Sequence, residues 1–236
     1  MKKQKDFNTL YMLLCLFLCS IALLSACSKD SRDIRKQLDK ELLRMSGISE
    51  QDLYYWYDHR KIPLEINGFT ITVRSKLDAS ELEHELNRLL KDDLSDFVYY
   101  EEANHMVITS KVHFGDLLQR KDMNLQRLFE QMIPCFFAGS SPVILTGELI
   151  LELGNEHSTA SILEEYNNQL LLTRTTTYNT ALVKVKQLSS VLRIGNNIYE
   201  RGMAEWCHPN FIAPVELYST HTERLQSTKG LQFGQW

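Results

Sequence analysis

Glycine and proline are scarce in this sequence, with 10 and 5 residues among 236. This scarcity excludes collagen-like repeats and long flexible linkers, which need these residues in quantity. Basic residues are not in excess either, since 26 lysines and arginines stand against 30 aspartates and glutamates. Non-specific nucleic-acid binding needs a basic surface, so no nucleic-acid partner is predicted. The apolar share of 44% is that of an ordinary folded protein.

The start of the chain is rich in apolar residues. No charged residue occurs between Phe7 and Ser28, and three lysines precede this stretch. A positive start followed by an apolar segment is typical of an export signal. The segment ends in Leu-Ser-Ala-Cys at Cys27, which resembles a bacterial lipoprotein processing site. We therefore expect residues 1–26 to be a signal peptide.

The same site predicts lipidation of Cys27. Acyl chains on this residue would anchor the exported chain to a bacterial membrane, facing the periplasm or the cell surface. The alternative is an uncleaved transmembrane anchor, because about 20 apolar residues can span a bilayer. Both interpretations place the remainder of the chain outside the cytoplasm.

Cysteine is rare in the mature chain, where only Cys135 and Cys207 follow Cys27. In an oxidising compartment an even pair can form a disulfide, and two buried free thiols are the alternative. The sequence has neither a Cys-x-x-Cys nor a His-x-x-x-His spacing, so no metal site or cofactor is predicted. The scattered histidines at 105, 113 and 157 are expected to be solvent-exposed.

The mature chain divides by pattern into two α+β units. Residues 27–49 are predicted to form a polar tether and a short helix, and residues 50–137 a first domain. The aromatic run Tyr54–Tyr57 favours a strand. Such a run can cover a core or form a platform for sugars or bases, and the core-covering strand is favoured.

The first domain continues with helices and strands. Asp78, with Glu81 three residues later, predicts a capped helix start. The segments Phe97–Tyr100 and Met106–Thr109 are predicted to form a strand pair. A further helix is predicted over 114–132.

The second domain is predicted over 142–211, after a linker at Ala138–Pro142. Its pattern reads β-α-β-β-α-β, which is the ferredoxin-like arrangement. Gly202 is expected to end the last helix as a left-handed C-cap. A short strand Met203–Trp206, closed by Pro209, is expected to complete the sheet.

This second unit resembles the N-terminal propeptide of bacterial lipoprotein subtilisin-like serine proteases. The resemblance rests on the segments Ile198-Tyr-Glu-Arg-Gly202, Glu205-Trp206 and Pro209-Asn-Phe211. The segments Tyr54-Tyr-Trp-Tyr57 and Lys61-Ile-Pro-Leu64 also resemble the start of the pre-catalytic regions of these proteases, and the chain end Phe233-Gly-Gln-Trp236 resembles the start of their catalytic domains. The resemblance implies a ferredoxin-like sheet that packs on the protease, followed by a C-terminal tail, residues 212–236, that lies in the substrate cleft. The residues that would contact the protease are Glu205, Trp206, His208, Pro209, Asn210 and Phe211.

The catalytic half of that family is missing from the sequence. Its Asp-Thr-Gly or Asp-Ser-Gly, His-Gly-Thr and Gly-Thr-Ser motifs do not occur, and neither does a Gly-x-Ser-x-Gly elbow. We therefore expect no enzymatic activity. The chain is predicted to inhibit or chaperone a subtilisin-like protease, or to be the remnant pre-catalytic region of one. The alternative is a cell-surface binding or structural lipoprotein that engages a protein or a glycan.

Overall fold

The computed structural model describes residues 32–101, 105–120, 124–154, 157–175 and 179–212. Within these ranges the fold is mixed α+β, with five α-helices and nine strands. The helices are α1 (32–46), α2 (Ala79–Leu90), α3 (Phe114–Leu117), α4 (Thr159–Glu165) and α5 (Val191–Glu200). The strands are β1 (Tyr54–Tyr57), β2 (Arg60–Arg74), β3 (Leu94–Tyr100), β4 (His105–Ser110), β5 (Gln131–Ala138), β6 (Ser141–Glu152), β7 (Leu170–Thr175), β8 (Thr180–Val185) and β9 (Trp206–Ile212).

All the strands belong to one curled antiparallel sheet. Its main path is β3-β4-β2-β5-β6-β8-β7, while β1 pairs with β2 and β9 pairs with β6. The single sheet depends on two long strands, because β2 has 15 residues and β6 has 12. Each of them pairs with different neighbours along its length.

The same succession of elements occurs twice. The first half, residues 60–138, runs β2-α2-β3-β4-α3-β5, and the second half, residues 141–212, runs β6-α4-β7-β8-α5-β9. In each half the first strand lies between the third and the fourth, and the second strand lies beyond the third. The β-α-β-β-α-β order predicted for 142–211 is therefore present.

Local sequence accounts for several element ends. Asp78 and Glu81 form the predicted capping box of α2. At the end of α5, the Gly202 N–H donates to the Tyr199 carbonyl and the Met203 N–H to the Ile198 carbonyl. Gly202 has a φ of +68°. This is the Schellman arrangement, so the predicted C-cap is confirmed.

The predicted linker Ala138–Pro142 is the turn of a hairpin. Ala138 pairs with Ser141 across it, and Gly139 adopts a positive φ of 63°. The sheet therefore runs without interruption from the first half into the second. The larger core cluster also crosses the boundary, because Ile133 and Phe136 pack with the interior residues of the second half.

The helix predicted over 114–132 is wrong. In the described residues α3 ends at Leu117, a 3₁₀ turn follows at Leu125–Leu128, and β5 begins at Gln131. The segment of β5 contains Ile133, Phe136 and Phe137, residue types that favour strands, and it lies between β2 and β6. The apolar spacing that predicts a helix extends to Met132, but the hydrogen bonds that β5 makes to strands on both sides determine its structure.

The short strand predicted at Met203–Trp206 is also wrong. Turn residues lead into β9, which begins at Trp206 and continues to Ile212. Pro209 is tolerated inside the strand because the pairing with β6 shifts register between Leu145 and Leu149, next to it.

Candidate protein-binding surface

One face of the sheet in the second half is not covered by the helices of that half. Leu149 and Leu151 of β6 point into the core, where α4 and α5 contribute Ile162, Ile194 and Ile198. Side chains alternate along a strand, so Ile150 points to the other side.

Cross-strand partners extend this second side over four strands. Leu182 of β8 and His208 of β9 both lie opposite Ile150, and Arg174 of β7 lies opposite Leu182. Directly opposed residues of antiparallel strands project from the same face. We call this surface the open face and define it by the residues Glu148, Ile150, Glu152, Leu171, Arg174, Leu182, Lys184, Trp206 and His208.

The open face has an apolar centre flanked by charges. Ile150 and Leu182 are half-buried within the sheet, while Leu171 at the edge strand is 49% exposed. Lys184 stands directly between Leu171 and Glu148. An exposed apolar surface rimmed by polar groups is the character of a protein interaction site.

Aromatic rings close one end of the open face. The rings of Trp206 and His208 meet edge to face, with centroids 3.9 Å apart. Tyr57 of β1 is 46% exposed, and its ring lies 6.5 Å from that of Trp206. Burial lowers the pKa of His208, although a 2.6 Å hydrogen bond from Nδ1 to the Pro209 carbonyl opposes this effect. The imidazole is therefore neutral at neutral pH and belongs to the apolar part of the surface.

The other predicted contact residues are placed differently. Glu205 is exposed in the turn before β9. Asn210 donates from Nδ2 to Glu148 Oε2 at 3.0 Å. Pro209 is buried, and Phe211 packs against the core with its ring 5.0 Å from that of Tyr55. The segment Pro209–Phe211 is thus part of the sheet, and a tail can begin only after Ile212.

The disulfide considered between Cys135 and Cys207 is not formed, because both thiols are free and buried. The two residues belong to separate core clusters. Burial raises the pKa of Cys135 to about 12 and also raises the pKa of Cys207. Neither thiol is a nucleophile near neutral pH. The predicted lipidation site Cys27 and residues 213–236 lie outside the described residues.

Two histidines expected at the surface are buried. His105 is fully buried, and one of its ring nitrogens contacts the Thr146 carbonyl. His113 is 5% exposed, and its Nδ1 accepts a hydrogen bond from the Gly115 N–H while Nε2 lies 2.9 Å from Asp39 Oδ1. No local pattern could have revealed either position, because the partners Thr146 and Asp39 lie 41 and 74 residues away in the sequence.

Sequence reasoning also missed the apolar centre of the open face. Ile150 and Leu182 lie in strands whose core residues were recognised, at positions where a solvated strand would carry polar residues. Apolar residues on both sides of β6 and β8 were the available signal. The described residues contain no group of three or more His, Cys, Asp or Glu side chains placed to hold a metal ion.

Comparison with known proteins does not assign the chain to a family. No family model matches it, and neither the curated proteins nor the solved structures include a significant match. Among the helices of the described ranges, none combines the length and apolar character needed to cross a membrane.

Proposed function

We propose that the chain is an exported lipoprotein without catalytic activity whose second half binds the catalytic domain of a subtilisin-like protease. The open face is the observation that carries this proposal. An apolar sheet surface with charges at its rim provides the kind of contact by which a propeptide-like module packs on a protease. The resemblance of Ile198–Phe211 to subtilase propeptides supports the choice of partner.

The succession of elements supports a ferredoxin-like fold for the binding module. The strands and helices of 141–212 follow the β-α-β-β-α-β order, with both helices on one side of the sheet. We extend the proposal to the first half, which has the same succession and the same spatial strand order. On this proposal the chain contains two ferredoxin-like units fused through the β5–β6 hairpin.

Within the proposed complex, contacts of the open face provide most of the binding free energy, and the segment after Ile212 lies in the substrate cleft. Trp206 and His208 are the predicted contact residues that lie on the open face. Their edge-to-face packing holds both rings in place before binding, which lowers the entropy cost of association. The chain could act as an inhibitor or a folding template of the protease, or it could be the remnant of a protease precursor. The proposal includes all three, because each requires contact between the open face and the catalytic domain.

The proposal is tested by inhibition of a panel of subtilisin-like proteases, including one from the same organism. The test compares the unmodified chain with Leu171→Glu, which places a carboxylate on the open face. Leu171 is already exposed, so the variant should fold. Its matched control is Ile34→Glu, an equivalent change at a residue of α1 that is 59% exposed.

We expect inhibition by the unmodified chain and by Ile34→Glu. We expect a loss of about tenfold or more with Leu171→Glu, because the new carboxylate replaces an apolar contact and must give up its water for docking. Equal inhibition by both variants would show that the open face is not the contact. Absence of inhibition across the panel would favour the alternative, a surface binding lipoprotein. An aromatic groove next to α5, whose lining includes Trp56, Tyr199 and Glu205, is the observation that favours that alternative.

A further inference from the structure

The groove next to α5 is separate from the open face. It has a volume of about 510 Å³, and it shares no residue with the open face. Its lining consists of Trp56, Tyr199, Glu200, Gly202, Ala204 and Glu205. The groove therefore combines two aromatic rings, two carboxylates and a small apolar floor.

The aromatic wall of the groove is held in place by its neighbours. The rings of Trp56 and Tyr199 are stacked, with centroids 5.0 Å apart and an interplanar angle of 28°. The indole Nε1–H of Trp56 donates to Glu200 Oε1 at 3.1 Å, and the Tyr54 hydroxyl donates to the same oxygen at 2.7 Å. Because both donors hold this carboxylate, the wall and the acid keep a fixed relation to each other before any ligand arrives.

The carboxylates of the groove have no cationic partner among the described residues. Glu205 is exposed and makes neither a side-chain hydrogen bond nor an ion pair there. Of the neighbouring cations, Lys61 lies with Nζ 3.4 Å from the centre of the Tyr54 ring, and Arg201 pairs with Glu165. Neither forms an ion pair with Glu200 or Glu205. The groove thus offers negative charge next to an aromatic surface, and within the described ranges neither carboxylate forms an ion pair.

We propose that this groove binds an arginine side chain of a partner protein. A guanidinium is planar and stacks on aromatic rings, and its fork of N–H donors matches carboxylate oxygens. A neutral sugar could stack on the same rings, but it would leave the charge of Glu205 and Glu200 without a counterpart. Charge complementarity therefore selects the guanidinium over the glycan.

The test uses two pentapeptides with blocked ends, Gly-Gly-Arg-Gly-Gly and its citrulline counterpart, which keeps the shape and removes the charge. Each is titrated into the isotope-labelled chain, and the NMR signal of the Trp56 indole N–H is followed. A Trp56→Phe spectrum assigns that signal. Glu205→Gln is the test variant, and Glu164→Gln, an exposed residue of α4, is its matched control.

We expect a saturable shift with the arginine peptide that is weaker by about three- to fivefold with Glu205→Gln and unchanged with Glu164→Gln. Added salt should weaken the binding. An equal response to the citrulline peptide would overturn the proposal. The absence of any shift at the highest soluble concentration of the arginine peptide would also overturn it. A saturable response to an uncharged disaccharide in place of the peptide would identify a glycan site and also overturn it.

Discussion

At the scale of single residues, His113 shows how a buried polar group ties distant segments together. Its imidazole caps α3 through the Gly115 N–H and meets Asp39 of α1. Gly68 of β2 lies against the same ring, so closely that a Cβ on this glycine would overlap it. The ring cannot move aside without losing its two hydrogen bonds.

We therefore expect Gly68→Ala to lower the free energy of unfolding by about 1–3 kcal/mol. Gly154→Ala is the control, because a Cβ there would meet the carboxylate of Glu205, an exposed and flexible side chain. That change should stay within about 0.5 kcal/mol. Urea unfolding curves of both variants check the prediction, and equal effects would show that the His113 contact is not tight.

The two buried cysteines lead to a prediction about pH. A cysteine thiol in the unfolded chain has a pKa of 9.0, and burial raises the pKa of Cys135 to about 12 in the fold. The thiol therefore favours folding fully below pH 9 and progressively less between pH 9 and 12, because only the unfolded chain ionises in that range.

In the native chain at pH 8, neither Cys135 nor Cys207 should react with iodoacetamide, and both should react in denaturant. Peptide mapping by mass spectrometry without reductant measures this directly. A linked Cys135–Cys207 peptide, or rapid native alkylation of either thiol, would contradict the structure.

At the scale of elements, the end of α5 depends on the conformation of Gly202. Its φ of +68° is strained for a residue with a Cβ, and nothing crowds the space around it. Gly202→Ala should lower the free energy of unfolding by about 1 kcal/mol. Gly202→Asn should cost less, because asparagine tolerates the left-handed region. Thermal unfolding of both variants tests the prediction, and an asparagine variant no better than alanine would contradict it.

Elements with a strong local signal could be predicted from the sequence. The capping box of α2, the alternation of Ala181, Val183 and Val185 in β8, and the C-cap of α5 all lie within short windows. The misassigned segments depend on distant partners instead. β5 is a strand because β2 and β6 flank it, and β9 continues past Pro209 because β6 shifts register.

The candidate surface was predictable to a smaller extent. That Trp206 and His208 contact a protease stays a prediction. Both could be named from the sequence through the proposed likeness of their segment to subtilase propeptides. Ile150, Leu182 and Leu171 could not, since the open face exists only once four strands are placed side by side. The groove next to α5 likewise joins Trp56 and Tyr199 across more than 140 residues of sequence.

At the scale of the whole molecule, the two halves share one sheet and part of one core. Leu64 and Phe136 of the first half pack in the same cluster as Leu149 and Ile198 of the second. We expect a single cooperative unfolding transition, with the same midpoint by far-UV and near-UV circular dichroism. Two separated transitions would contradict the shared core and indicate independent domains.

The open face, which four strands of the second half form together, is the basis of the proposed function. Its most direct test is equilibrium binding of the chain to subtilisin-like proteases whose catalytic serine has been chemically blocked, so that the chain cannot be degraded as a substrate. We predict saturable, sub-micromolar binding to at least one member of the panel that is lost with Leu171→Glu and kept with Ile34→Glu. No binding to any member, including a protease of the same organism, would contradict the account.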